Sequence, residues 1–412
     1  MKRQTAFIFL LVTLIALIVP GVPKIEAQIP TTVGATRAPM LGIDKSDNLY
    51  ITMSVATKPP SAGTPGSQIF FTMSTDRGLT WDNLPKTRRL SFTDGEAFGP
   101  AIAVSNRGKK PIYITYHDNE TGPTQVYMVR SKKKTKFKKA RNITPYEGGA
   151  FSPRIALDST DAVNIVWGDT RNNGRQVVFV RSTDFGETFS EPLNVSRSPG
   201  LAFDADIAVG ADDAINVVWE DTAPGVSAIM FARSTDHGQT FSEPVQVSPA
   251  SHSATQTRIT VDAGGALHIV WIGESEGDSN IFHTRSSDGG QTFSEPVNVS
   301  NTGRGRMYKP YITTFQDEVY IAYNDQASHS RQVFVVKSKD GGNTFMEPVQ
   351  VSNANREKGR AHSASMIVDS RGTLHIVWVD SSIVGNDEAL MYYTNSPNGR
   401  SFPPGRFIFA TL

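Results

Sequence analysis

Five copies of one eight-residue motif recur along this 412-residue chain, and most of the intervals between them are identical. They read Ser74-Thr-Asp76-Arg-Gly78-Leu-Thr80-Trp81, Ser182-Thr-Asp184-Phe-Gly186-Glu-Thr188-Phe189, Ser234-Thr-Asp236-His-Gly238-Gln-Thr240-Phe241, Ser286-Ser-Asp288-Gly-Gly290-Gln-Thr292-Phe293 and Ser338-Lys-Asp340-Gly-Gly342-Asn-Thr344-Phe345. The aspartates at 184, 236, 288 and 340 are 52 residues apart each time, and the 108 residues from Asp76 to Asp184 hold two units of 54. A fixed period in this range means stacked copies of one supersecondary unit, none of which buries its apolar face alone.

The motif has a mechanical reading. A short Asp carboxylate folds back onto backbone N–H groups of its own turn, and the Ser and Thr hydroxyls add similar bonds. Gly supplies the positive φ such a turn demands, and the closing Trp or Phe is an apolar anchor for the hairpin. The aspartates are therefore expected to be structural, with Asp236 acting as a buried acceptor. Between motifs, β-branched and aromatic residues alternate with polar ones in short runs. In the third unit these are Pro153–Leu157, Val163–Trp167, Gln176–Arg181 and, after the motif, Glu191–Val195. They are written here as strands A to D. Equivalent A strands begin at Pro39, Pro100, Ala205, Thr257, Pro310 and Ala364, giving seven units. Two have worn motifs: Ser131-Lys-Lys-Lys-Thr-Lys-Phe137 in unit 2, and Asn395-Ser-Pro-Asn-Gly399-Arg-Ser-Phe402 in unit 7, where Pro397 falls in the Asp position.

The motif resembles the Asp-box, or bacterial neuraminidase repeat, of sialidase-like β-propellers, and the resemblance covers nearly all of residues 28–412. It implies an all-β, seven-bladed β-propeller of four-stranded antiparallel blades. It also implies that boxes and A–B turns lie on one face, with the D–A and B–C loops forming a functional mouth opposite. Fold alone does not carry chemistry. Catalytic sialidases of the family have six blades, so seven units already depart from them.

Composition narrows the setting. Lys2 and Arg3 precede an apolar run from Ala6 to Val19 that Pro20 ends, too short to span a bilayer comfortably and suited to a secretory signal peptide over residues 1–27. The alternative is an uncleaved N-terminal anchor; no other segment is apolar enough to cross a membrane. Secretion, or a cell-surface or periplasmic location, follows as an expectation. With no cysteine, neither disulfides nor thiolate metal sites are available. The net charge of +1 falls to about −1 without Lys2, Arg3, Lys24 and Glu26, which gives no reason to expect a nucleic-acid partner. No metal-ligand spacing, phosphate loop or nucleophile elbow is present, so no metal or cofactor is expected. The chain is expected to act as a monomer.

Because the units align with each other, the places where one departs from its siblings mark candidate chemistry. The residue before the strand-A Ile reads Met40, Ala101, Arg154, Asp206, Arg258, Tyr311 and Ser365 around the ring. Four residues before that Ile, the ring reads Arg37, Phe98, Phe151, Phe203, Thr255, Tyr308 and His362. Arg154, Asp206, Arg258, Tyr308, Tyr311, Phe151 and Phe203 are thus candidates to bind a polar ligand such as a sugar between aromatic walls and fixed charges. The alternative is an interblade ion network. At the B–C turns Tyr116-His-Asp118, Trp167-Gly-Asp169, Trp219-Glu-Asp221, Tyr323-Asn-Asp325 and Trp378-Val-Asp380 recur; a carboxylate repeated this often suits turn stabilisation. Glu220 and Glu274 break the pattern and, with Tyr311, are the candidate catalytic groups.

The family's sialidase set is a Tyr nucleophile with its Glu, an Asp acid/base and three Arg on the substrate carboxylate. It is not recovered: Arg37-Ala-Pro-Met-Leu41 replaces the usual Arg-Ile-Pro motif of blade 1, and no third Arg aligns. The reading is a glycan or other extracellular ligand bound at the mouth without sialidase activity. An exo-sialidase-type glycoside hydrolase and an extracellular protein-binding scaffold are the alternatives. Separately, Arg130 to Arg141 hold eight Lys or Arg and no acid, which makes Lys132, Lys133, Lys134 and Lys136 candidates for contact with an anionic polymer.

Overall fold

The computed structural model describes residues 36–409 apart from 58–65, 83–87, 108–110, 134–135, 172–173, 276–277, 301–305, 327–329, 355–358 and 382–388. The expected leader, residues 1–27, and Lys134 lie outside the described residues. Seven antiparallel sheets follow one another along the chain, each built from consecutive strands, and the described residues contain no helix. Six sheets have four strands; that of blade 2 has a fifth. The protein is an all-β, seven-bladed propeller. Blade 3 shows the plan: A is Ala150–Leu157, B Val163–Asp169, C Gln176–Ser182 and D Leu193–Asn194.

The A strands of neighbouring blades pack against one another all the way round, that of blade 7 against that of blade 1 included. They therefore line the axis. The core is divided accordingly into apolar clusters between successive blades. One joins Val177 and Phe179 of blade 3 to Ile207, Ile215 and Trp219 of blade 4; another joins Leu49, Ile51 and Trp81 of blade 1 to Val377, Met391 and Tyr393 of blade 7. Fully burying one such side chain contributes about 1.5–3 kcal/mol. Blades 1 and 7 each keep four strands of their own, so the ring closes by packing rather than by strand exchange. At the seam Leu41 N donates to Ser365 Oγ at 3.1 Å.

The boxes act as locks between blades. In blade 4, Asp236 Oδ1 accepts from the Ser234 hydroxyl (2.7 Å) and Thr240 N (3.0 Å), while Oδ2 accepts from the Thr240 hydroxyl (2.6 Å). Gly238 N donates to Ser234 Oγ at 2.8 Å. Phe241 packs edge-on against Phe179 of blade 3, and Phe293 against Phe231 in the same way. The aspartates themselves are not buried. Asp236 is half-buried and Asp340 exposed, because the turn faces solvent and only Gly and the aromatic point inward. The hydrogen bonds still hold these carboxyls down: the Thr344 hydroxyl, Thr344 N and Ser338 lower Asp340 to about 2. A carboxyl depressed in the fold stabilises it above its unfolded value of about 3.9, and loses that contribution as pH falls towards 2. Asp340→Asn is therefore expected to flatten the fall in melting temperature between pH 4 and 2, measured by thermal scans.

The worn boxes retain this function. Phe137 of blade 2 reaches Phe71 of blade 1 at 4.9 Å, as a box aromatic would. In blade 7 the sequence register shifts by one: strand C ends at Ser396, whose hydroxyl donates to Asn398 Oδ1 at 2.9 Å. Asn398, rather than Pro397, thus takes the Asp position, one residue nearer the glycine.

The mouth as a candidate functional site

Each strand A starts at the mouth, and all seven start three or four residues earlier than alternation predicts, because each crosses a bulge. In blade 3 the register slips between Phe151 and Arg154. At that point every blade holds one residue in the left-handed region: Ala38, Gly99, Ser152, Asp204, Gln256, Lys309 and Ser363, with φ between 47° and 57°. A bulge lets an extra residue enter one strand and re-aims its neighbours. Here it turns two residues per blade, one on each side of the slip, towards the axis and the mouth. Periodicity alone hides a third ring, the one carrying Asp204, Gln256 and Lys309.

The inner ring lies in the axial channel. Arg154, Asp206, Arg258 and Tyr311 line one cavity of about 240 Å³ with Met40, Ala101 and Met366. Arg154 Nε stands 3.7 Å from Asp206 Oδ1, and Asp206 Oδ2 accepts from Ile259 N at 3.1 Å. Asp206 is thus committed to joining blades 3, 4 and 5. Burial and Arg258 lower the Arg154 guanidinium to about 10, leaving it charged at neutral pH. Arg258 donates to its neighbour's carbonyl, Thr257 O, at 2.6 Å, and no carboxylate among the described residues pairs with it. Burial pushes the Tyr311 hydroxyl up, while Ser365 bonds to it and Arg258 and Arg154 pull it down. Among the described residues that line this cavity with Tyr311 there is no glutamate.

Above the channel, the sequence-predicted aromatics frame groups that the sequence reading passed over. His117 lies between Phe98 (6.2 Å) and Phe151 (6.4 Å). Its Nδ1 accepts from Ser152 N at 3.3 Å, which assigns the proton of the neutral ring to Nε2. Burial, then Arg154 and Arg175, lower His117 to about 4. At neutral pH it is an N–H donor with its acceptor nitrogen already engaged, a poor general base. Arg175 reaches over Phe151 (5.1 Å) and Phe203 (5.4 Å). It fits because Gly168 leaves room: a Cβ there would stand 2.9 Å from Arg175 Nε. Arg331 stacks on Tyr308 at 3.7 Å. The Nε atoms of Arg154, Arg175 and Arg331 are all buried without a hydrogen-bond partner, a rare state for such donors. The exposed Lys309 sends Nζ to Ser363 Oγ at 2.9 Å.

The two glutamates part company. Glu220 is buried, and burial pushes its carboxyl up against the opposing hydrogen bond from Ser227 (2.6 Å). Glu274 is exposed and lies off the axis, in a cleft of about 330 Å³ between blades 5 and 6 with Thr255, Gln256, Arg306 and Tyr308. The recurrent B–C aspartates hold their turns: Asp169 accepts from Trp167 Nε1 (3.0 Å) and Arg171 N (2.9 Å), and Asp221 from Trp219 Nε1 (3.0 Å) and Ala223 N (2.8 Å). The signal that could have revealed His117 is the middle residue of these triplets. It varies (His117, Gly168, Glu220, Asn324, Val379) between a Tyr or Trp and an Asp that recur, and it pairs with the mouth residue of strand A. Among the described residues no cluster of His, Asp or Glu could hold a metal ion.

The family described as a BNR repeat-like domain matches residues 214–359. That stretch holds the boxes at Asp236, Asp288 and Asp340, and the match agrees with the repeat and with the propeller fold. Among solved structures it is similar to an ulvan lyase, a polysaccharide lyase bound to -[GlcA(1-4)Rha3S]-, at 13% identity and a TM-score of 0.62 over 87% of this chain and 94% of that one. It is similar also to the polysaccharide lyase Uly1, at 13% identity and a TM-score of 0.55 over 86% and 89%. A Hadza microbial sialidase matches at 16% identity and a TM-score of 0.51 over 84% and 76%. No curated protein matches the chain by sequence. At these identities the likeness is one of fold, and the fold is related to those of glycan-active proteins.

Proposed function

We propose that the protein binds an acidic glycan at the propeller mouth, as an exported monomer and without sialidase chemistry. The observation that carries this reading is the convergence of Arg154, Asp206, Arg258 and Tyr311 on one cavity, beneath aromatic walls at Phe151, Phe203 and Tyr308. Arg154, Arg175, Arg258, Arg331 and Lys309 outnumber Asp204, Asp206 and Glu220 there, which suits an anion. Arg258 is the best-placed fork for a ligand carboxylate, since a planar guanidinium engages both oxygens. The ulvan lyase neighbour is bound to a glucuronate-containing chain, which supports an acidic sugar over a neutral one. Export rests on the apolar leader ahead of the propeller.

Calorimetric titration of the chain with uronate-containing and sialylated oligosaccharides tests the reading. Arg258→Ala and Tyr311→Phe are expected to keep the fold and each weaken binding by about 1–3 kcal/mol, the scale of a charge-assisted hydrogen bond. A fluorogenic sialoside should stay intact. Turnover abolished by Tyr311→Phe would instead establish the exo-sialidase alternative, and neither binding nor turnover would leave a protein-binding scaffold.

A further inference from the structure

One sizeable cavity lies away from the mouth. It is a groove of about 810 Å³ between blades 2 and 3 on the opposite, box-bearing face. Arg107, Arg130, Lys132, Lys133, Lys136 and Lys138 line it, with Phe185 and a single acid, Asp161. We propose that this groove is a second binding site, which holds one strand of an acidic polysaccharide carrying sulfate or carboxylate groups.

The groove exists because blade 2 departs from its siblings. Where five of the other blades turn through a box with an Asp and blade 7 through one with Asn398, strand C of blade 2 runs on to Lys133 and folds back through Lys136–Phe137. Lys133 and Lys136 are paired directly across this hairpin, and like charges opposite each other destabilise a strand pair. An anion in the groove removes that repulsion.

The cations divide into two sets. Arg130 donates to Glu187 at 2.9 Å and to Phe185 O at 2.7 Å, and Lys138 also pairs with Glu187. These two fix the wall formed by the blade 3 box. Asp161 accepts from the Ser105 hydroxyl at 2.7 Å. By contrast, among the described residues no acidic side chain pairs with Lys132, Lys133 or Lys136, and Arg107 meets only a backbone carbonyl, Ser159 O. The unpaired charge therefore lies along the hairpin side of the groove.

Shape selects the occupant. A membrane surface is flat and touches protruding groups only, whereas these cations line a concavity that a single extended chain can enter. A nucleic-acid strand would call for a row of aromatic faces to stack its bases; the groove offers one ring, Phe185, already approached by the Arg130 guanidinium at 5.7 Å. Aliphatic Lys and Arg stems with charged heads suit a sugar chain whose rings present C–H faces and whose edges carry anions.

The site is independent of the mouth, and the test separates them. Retention on immobilised heparin and dextran sulfate, with plain dextran as the uncharged control, is compared for three forms of the chain. The triple substitution Lys132→Ser, Lys133→Ser, Lys136→Ser should weaken binding roughly tenfold or more and lower the salt needed for elution. It should leave unchanged the circular dichroism spectrum and the calorimetric affinity for short uronate oligosaccharides, which reports on the mouth. Unchanged retention of the triple variant overturns the proposal. So does loss of retention in Arg258→Ala alone, which would put the polymer at the mouth. Stronger competition by single-stranded DNA or by phosphatidylserine vesicles than by dextran sulfate also overturns it, by naming a different occupant.

Discussion

Gly238→Ala is expected to lower the stability of the propeller by about 2–4 kcal/mol, read as a shift of the chemical denaturation midpoint. Two effects add. Gly238 sits at φ 80°, in the region that side chains avoid, and a Cβ there would stand 2.3 Å from Phe179 Cε1. Phe179 cannot give way, since it is packed in the apolar cluster between blades 3 and 4. Gly225 supplies the control. Its φ is 94°, yet an added Cβ meets nothing within 4 Å, so Gly225→Ala should show only the backbone cost of about 1 kcal/mol. Asp236→Ala should also cost less than Gly238→Ala, because its carboxylate is solvent-facing and the glycine contact survives. Equal effects at positions 225 and 238 would mean that the box is merely a turn and does not lock adjacent blades.

The same reasoning explains what was legible in the sequence. The box reports itself because every part of it is constrained: Ser and Thr by hydrogen bonding, Gly by φ and contact, the aromatic by packing. Five intact copies therefore fix the period, and with it the blade count. In blade 7 the constraint acts on geometry rather than spelling, so Asn398 can replace Asp one position along and mislead a register drawn from Gly399. The inner ring was legible for a similar reason, since the residue before the strand-A Ile occupies one place in every blade. The bulges were not. Alternation assumes an unbroken strand, and Ser152, Asp204, Gln256 and Lys309 carry no glycine to advertise positive φ. His117 and Arg175 were missed because their roles depend on neighbours from other strands and blades: Phe98, Phe151, Phe203 and the space above Gly168. Such contacts have no fixed spacing along a chain.

His117→Gln is expected to make stability less dependent on pH between 6.5 and 4, by about 2–3 kcal/mol across that window. The wild-type ring is held near 4 by burial and by Arg154 and Arg175, while in the unfolded chain it titrates at about 6.5. Between those values the unfolded state takes up a proton that the folded state refuses. The contribution is therefore complete above about pH 6.5 and drains away as pH falls to 4. Below 4 both states are protonated and the loss stops growing. His268, His283 and His375 are also lowered by burial, so the parent protein still loses stability on acidification after the substitution. The informative quantity is the difference between the two denaturation curves at each pH. If that difference is flat from pH 7 to 4, His117 is solvated, and the mouth is too wet to hold a neutral imidazole between two arginines. A difference that closes with falling pH means the mouth keeps His117 uncharged, leaving the arginines and Lys309 to meet an anionic ligand.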